Sequence, residues 1–436
     1  MNKLLNKFLK VKTKQSKTRH NKTKHHNKTK HHNKTKHHNK TKHHNKTKHH
    51  NKTKHHNKTK HHNKTKHHNK TKHHNKTKRH SKHPRKHSLF NNIHKKVMPH
   101  SYSPTINQRL ITMKTIPREK LHNCNIKRAY ELYEPLEIGI PGHLYGKTCY
   151  NYNTPEAKQF LLHNLVANKH INIKIVVPPK QLQSNCWFNA MFAMFFISDK
   201  GRKFFHFFRQ LMIEGRQLNG TTIPENIRNA FALLNFGIDA CLTGNKFAYE
   251  LNTNAVIHKL YKSIPNKYKE THPYIKDIDE AGNPLKYYIS IINYLSASPI
   301  LLIFISDATV KWKESLLDAL KKNKHLPHII AIEIYKDNAN KVNKPQSFKI
   351  NNATYELDSA AIIDMSSQHF CATITCEGKE MGYDGMSHHP LIPYNWKNKI
   401  NSDFEWSFDS TSNSKKEPPL KWNFINCYQT LMYYRI

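Results

Sequence analysis

The chain has 436 residues and a formal charge of +44, and these two numbers describe different parts of it. Residues 1–87 hold 31 Lys/Arg and no Asp or Glu; the remaining 349 hold 42 bases and 29 acids, a balance of +13. A tail with almost no apolar residues cannot bury enough surface to offset its ordering entropy, whereas the body is long enough for one large domain or two smaller ones. This composition excludes a polytopic membrane protein and a disulfide scaffold. It does not by itself make the chain a nucleic-acid-binding protein.

Met1–Lys10 is basic and weakly amphipathic, too interrupted for a signal-peptide core. Residues 21–74 are nine uninterrupted copies of Asn-Lys-Thr-Lys-His-His, followed by a degenerate tenth copy. No copy has an apolar face to stack on its neighbour, so the repeat is not a solenoid. Residues 1–87 read as a disordered polycation. Three roles compete for it: a neutral repeat expansion, a salt-sensitive tether to nucleic acid or another polyanion, and a His-His metal-binding tract. Residues 88–170 look transitional, with short helices expected at Arg128–Glu134 and Glu156–Val166 and a turn at Pro141-Gly142.

From residue 171 the patterning sharpens. Ile171–Val177 reads as a strand stopped by Pro178-Pro179. Asn185 then caps a helix over Cys186–Ile197, an apolar run too long for a typical strand. Helices are expected at Arg202–Glu214, Glu225–Leu242, Ala255–Ser263, Leu285–Leu295 and Lys313–Lys322, with strands at Ile300–Ile305 and His328–Tyr335. After 345 the period changes to that of strands: Ser347–Ile350, Ala353–Leu357, Ala360–Met365, Phe370–Cys376, Glu380–Tyr383 and Cys427–Tyr434. Helices first and an antiparallel sheet later define an α+β domain.

Seven cysteines, an odd number without a CxxC pair, point to a reducing compartment, neither a disulfide framework nor a structural zinc site being expected. No run reaches the roughly 18 apolar residues of a spanning helix. No cofactor is implied.

Two segments carry chemistry. In Gln181-Leu-Gln-Ser-Asn-Cys-Trp-Phe-Asn-Ala190, Cys186 falls in the first turn of a helix, where the backbone amides favour a thiolate. A thiolate is the nucleophile of acyl transfer. Gln181, five residues earlier, is placed to donate its amide to an oxyanion beside the Cys186 N–H. In the second segment His369 opens a strand and Asp384 closes the next one, across the Glu377-Gly378 turn. Adjacent antiparallel strands can set Asp384 to orient the imidazole while His369 accepts the Cys186 proton. Each residue alone has a plainer reading: core thiol, structural histidine, turn aspartate. Cys371 and Cys376, five apart on one strand, point to opposite faces and are not a metal pair. The aromatic residues around Cys186, and Trp396, Trp406 and Trp422, read as core, and no metal site is expected.

Asn185-Cys-Trp-Phe-Asn-Ala190, His369-Phe-Cys-Ala372 followed by Tyr383-Asp384, and the closing Leu431-Met-Tyr-Tyr-Arg-Ile436 resemble the three anchor motifs of the ubiquitin-specific proteases, a group of papain-like cysteine peptidases. The resemblance spans about residues 171–436. It implies a papain-like catalytic domain with Cys186 as nucleophile, His369 as base, Asp384 as orienter and Gln181 at the oxyanion position. It also implies ubiquitin or a ubiquitin-like protein as substrate. The sequence departs from the family where Gln183-Ser-Asn185 replaces Gly-Asn-Thr, and it lacks the paired CxxC motifs of the zinc-bearing fingers.

The leading expectation is therefore a thiol-dependent hydrolase cleaving after the C-terminal glycine of ubiquitin or a ubiquitin-like modifier. A papain-like endopeptidase of other proteins and a non-catalytic binding module with a polyanion-binding tail are the rivals. The tether reading predicts that any affinity of the full chain for nucleic acid falls steeply with added salt, by counterion release, and is the same in Cys186→Ala. A salt-independent affinity in a filter-binding titration would exclude it.

Overall fold

The computed structural model describes residues 122–131, 133–141, 146–167, 170–278, 280, 283–296, 302–323, 325–409 and 420–436. The basic tail, residues 88–121 and the expected turn after Pro141 lie outside these residues.

The architecture is mixed α and β. The segment that looked transitional is folded where it is described. Strands β1 (His122–Asn123), β2 (Glu137–Pro141) and β3 (Lys147–Asn151) form a small antiparallel sheet, with helix α1 (Ile126–Tyr130) between the first two. Helix α2 (Pro155–Ala167) follows. Ile126, Leu136, Tyr152, Phe160 and Leu165 sit in the same core as residues more than sixty positions later, such as Phe231. Cys124 and Cys149 are joined in a disulfide with their Cα atoms 6.0 Å apart, which departs from the all-thiol expectation.

Ile171–Val177 is not a strand. Only a 3-10 turn forms at Ile173–Ile175, and its neighbour Val177 donates to the Cys241 carbonyl instead of to a sheet edge. Then comes α3 (Cys186–Phe192), which runs on through a π-helical turn over Ala193–Ile197. Every residue from Phe188 to Ile197 is buried, as an apolar run without a polar stripe requires. The rest of the helical layer comprises α4 (Asp199–Phe204), α5 (His206–Glu214), α6 (Glu225–Thr243), α7 (Thr253–Ser263), α8 (Asn266–Thr271) and α9 (Pro284–Ser296). The predicted Arg202–Glu214 helix is thus split in two at Phe205, and α8 was not foreseen.

The large sheet contains β4 (Leu302–Ile305), β5 (Ile329–Ile334), β6 (Ser347–Ile350), β7 (Ala353–Ile363), β8 (Phe370–Cys376), β9 (Lys379–Tyr383), β10 (Leu391–Pro393) and β11 (Gln429–Arg435). Its order is β10-β9-β8-β7-β11-β5-β4, with β6 on β7. It is antiparallel except for β4 and β5, which run parallel and are connected through α10 (Trp312–Lys321). The short helix α11 (Lys336–Ala339) follows β5. The alternation of side chains separates two cores. Phe370, Ala372, Ile374 and Cys376 of β8 face the helical layer, and Cys371 faces the core of Trp312, Trp396, Trp406 and Trp422. Ala353–Leu357 and Ala360–Met365, expected as two strands, are one strand. The break between them is a register shift that leaves Asp358 without a cross-strand partner, and its carboxylate accepts from Lys200 N.

The far end of β8 is pinned to the helices by charge. Arg202 of α4 is buried and bonds Asp199 Oδ1 at 3.0 Å and Glu377 Oε1 at 2.6 Å, while Glu377 N donates to Asp199 Oδ1. Burial disfavours the guanidinium, but Cys376, Asp199 and Glu377 together leave its pKa raised. Arg202→Ala would take the buried cation from between Asp199 and Glu377, leaving them their backbone donors, and would strand the Ile197 carbonyl that the same guanidinium binds. We expect a loss of about 3–5 kcal/mol in urea unfolding; a change within about 0.5 kcal/mol would show the cluster to be unimportant.

Candidate active site

The segment that carries Cys186, the candidate nucleophile, is held by a buried polar network. Asn185 is fully buried at the N-cap of α3, but its side chain does not cap the helix. Its Oδ1 accepts from Leu182 N, and its Nδ2 donates to Thr253 Oγ1 at 2.8 Å. Thr253 in turn donates to Asn189 Oδ1, and Asn189 donates to the Lys180 carbonyl. Asn254, next on α7, donates to the Leu182 carbonyl at 2.6 Å. Gln183 takes a positive φ of 62° inside this loop, a conformation that the tethers on either side must stabilise. Cys186 then begins the helix, where its own N–H has no intrahelical acceptor.

Two further bonds strap this loop to the end of β9. Tyr383 OH donates to the Pro179 carbonyl at 2.7 Å, and Gln181 N donates to the Gly385 carbonyl at 2.9 Å. A Cβ on Gly385 would come within 3.0 Å of Gln181 N, so the approach depends on glycine. Between the two loops lies an open cleft of about 520 Å³ lined by Lys180–Ser184 and Gly385–Ser387.

The register of β8 and β9 brings the histidine to the aspartate. Ala372 pairs with Tyr383, so one step further Asp384 stands across from Cys371, with His369 two residues back on the same face. His369 Nε2 and Asp384 Oδ1 are 2.6 Å apart, and both side chains are buried. Asp384 Oδ1 also accepts from Met386 N. Nδ1, the nitrogen facing away from Asp384, makes no hydrogen bond of regular geometry at rest, and the Cys186 thiol is close enough to act on the ring. Burial disfavours the imidazolium. The hydrogen bonds and charges of Asp384 and Cys186 outweigh it and raise the His369 pKa to about 10. The structure thus brings Cys186, His369 and Asp384 into one cluster at the junction of helix and sheet.

Gln181 lies on the loop that lines the cleft beside this cluster, and one N–H of its Nε2 is donated to the Gln183 carbonyl at 2.8 Å. Trp396, Trp406 and Trp422 belong to the core, Trp422 packing edge-on against the His369 ring. Asp364, at the end of β7, was missed as a site residue. Its buried carboxylate accepts from Ser366 N, Gln368 N, His369 N and the Ser366 hydroxyl, and so shapes the loop that delivers His369. The pattern Asp-x-Ser-x-x-His was the available signal, since an Asp before Ser often organises such a turn.

No protein-family model and no curated protein matches this chain.

Because the His369 pKa is raised, proton binding to its ring favours the folded state. That stabilisation is complete below the unfolded value of about 6.5 and is lost as pH rises toward the folded value of about 10. Urea unfolding of wild type and His369→Gln should show a stability gap at pH 6 that narrows by pH 9. A gap that widens with pH would show that the imidazole is neutral at rest.

Proposed function

We propose that this chain is a cysteine peptidase of papain-like fold, similar to the ubiquitin-specific proteases, which cleaves after the C-terminal glycine of ubiquitin or a ubiquitin-like protein. The observation that carries the reading is the clustering of a helix-N-terminal cysteine with a buried His369–Asp384 pair at 2.6 Å. The sequence order and the three anchor motifs supply the substrate class; the geometry supports the chemistry.

In this reading His369 holds the proton of Cys186, and Asp384 fixes the ring and balances its charge. The thiolate attacks the scissile carbonyl, and the developing oxyanion meets the Cys186 N–H and a donor from the Gln181–Ser184 loop. His369 then protonates the leaving amine, the C–N bond breaks and a thioester remains. Water, deprotonated by His369, hydrolyses the thioester and regenerates the thiol. Because Cys186 is only 4% exposed, the Lys180–Ser184 loop must shift to admit the substrate chain.

A ubiquitin carrying a C-terminal electrophile should label wild type at Cys186 and leave Cys186→Ala unmodified. Asp384→Asn should slow the labelling by about 10²- to 10⁴-fold. Labelling by peptide electrophiles alone would replace ubiquitin with other protein substrates. No labelling by either probe class, in protein shown to be folded, would remove the enzyme reading.

A further inference from the structure

The small N-terminal sheet gathers a second set of reactive groups. The Sγ atoms of Cys124 and Cys149 and a carboxylate oxygen of Glu137 all lie within 4.8 Å of one another. None of the three residues is buried, and Cys149 is exposed. Glu137 has no side-chain partner among the described residues; its neighbour Glu134 instead takes the ion pair with Arg128, at 2.7 Å. The framework behind them is ordered. Cys149 sits on β3 opposite Gly139, and Cys124 N donates to the Glu137 carbonyl. Asn125 binds the Pro135 carbonyl through Nδ2 and Glu137 N through Oδ1, which ties the residue after Cys124 to the start of β2.

We propose that Cys124, Cys149 and Glu137 form a redox-gated site for a thiophilic divalent cation of the zinc class, closed as a disulfide when oxidised and metal-binding when reduced. Surface disulfides are kept reduced in thiol-rich compartments, the environment that the remaining buried free cysteines fit. A cellular thiol breaks the Sγ–Sγ bond by exchange. The reductant gives up two electrons and becomes its own disulfide, and the protein gains two thiols. Binding the cation then releases both thiol protons. A tetrahedral zinc site places its ligand atoms about 3.5–4 Å apart. The sulfurs must part to reach that spacing, while the carboxylate oxygen already lies within 4.8 Å of both of them, on Cα atoms of the two cysteines 6.0 Å apart. Two thiolates and one carboxylate leave the fourth position to water.

The full chain complicates a zinc titration, because its tail holds 22 histidines. Cobalt(II) avoids the difficulty: the first cysteine in the sequence is Cys124, so metal on the tail gives no thiolate-to-cobalt charge-transfer band. Anaerobic, phosphine-reduced protein should develop this band with one equivalent of site-bound cobalt, and excess zinc should abolish it. The band should be absent before reduction and absent in both Cys124→Ser and Cys149→Ser. Glu137→Gln should weaken binding by at least about tenfold, the loss typical even of groups one layer beyond the ligands. Circular dichroism of each variant establishes that it is folded. An unchanged band in either serine variant, or no band in wild type whose thiols are shown free by titration, overturns the site; undiminished binding in Glu137→Gln removes the carboxylate from it.

Discussion

Strand β8 is the constraint on which the arrangement depends. A strand shows one set of side chains to each side, and here each set has a fixed task. Phe370, Ala372, Ile374 and Cys376 form the floor on which α3 and the helical layer rest. The opposite parity, continued back to His369 and across to Asp384, makes the buried histidine–aspartate pair. A slip of one residue would exchange the two sets and destroy both. The strand is therefore held at both ends, by the Asp364 carboxylate on the His369 amide and by Arg202 on Glu377.

Electrostatics gives the same weight to this region. An imidazole buried this deeply favours the neutral form unless something compensates. Asp384 and Cys186 supply that compensation, and neither can be removed without leaving a poorly solvated partner. The helical side invests differently. Asn185, Asn189 and Thr253 form a neutral network that positions a loop without any charge. Peptide units near Cys186 are thus oriented by amides and a hydroxyl, while the His369 ring is oriented by an ion.

Much of this was legible in sequence where the local signal and the tertiary outcome agree. Cys186–Ile197 has no polar side to expose after its first residues, so only a buried helix can accommodate it. Strands β8 and β9 are recognisable because a Glu-Gly turn joins them at the right spacing. Ile171–Val177 misled because only Ile171 and Val176 of its branched residues are buried, Ile175 is exposed, and no neighbouring strand pairs with it. The small sheet was hidden because β1 has two residues and β2 contains a glycine and a proline. Asp358 lay inside what looked like a gap between strands, and pairing on its far side was needed to reveal a bulge. The engagement of Gln181 with Gln183 depends on a positive φ at a non-glycine residue, which no composition rule anticipates.

The position of β11 carries a consequence for how the molecule comes into being. It follows every other strand of the large sheet in sequence, yet it pairs on both sides, with β5 and with β7. During synthesis the two halves of that sheet have no common member until Gln429–Arg435 has left the ribosome. Before that point β5 and β7 each present an open edge to solvent or to a chaperone. The His369 segment is then borne on a half-sheet, and α3 rests on an incomplete floor. On the proposed reading, the cluster of Cys186, His369 and Asp384 would accordingly be completed as a single late event, when β11 inserts.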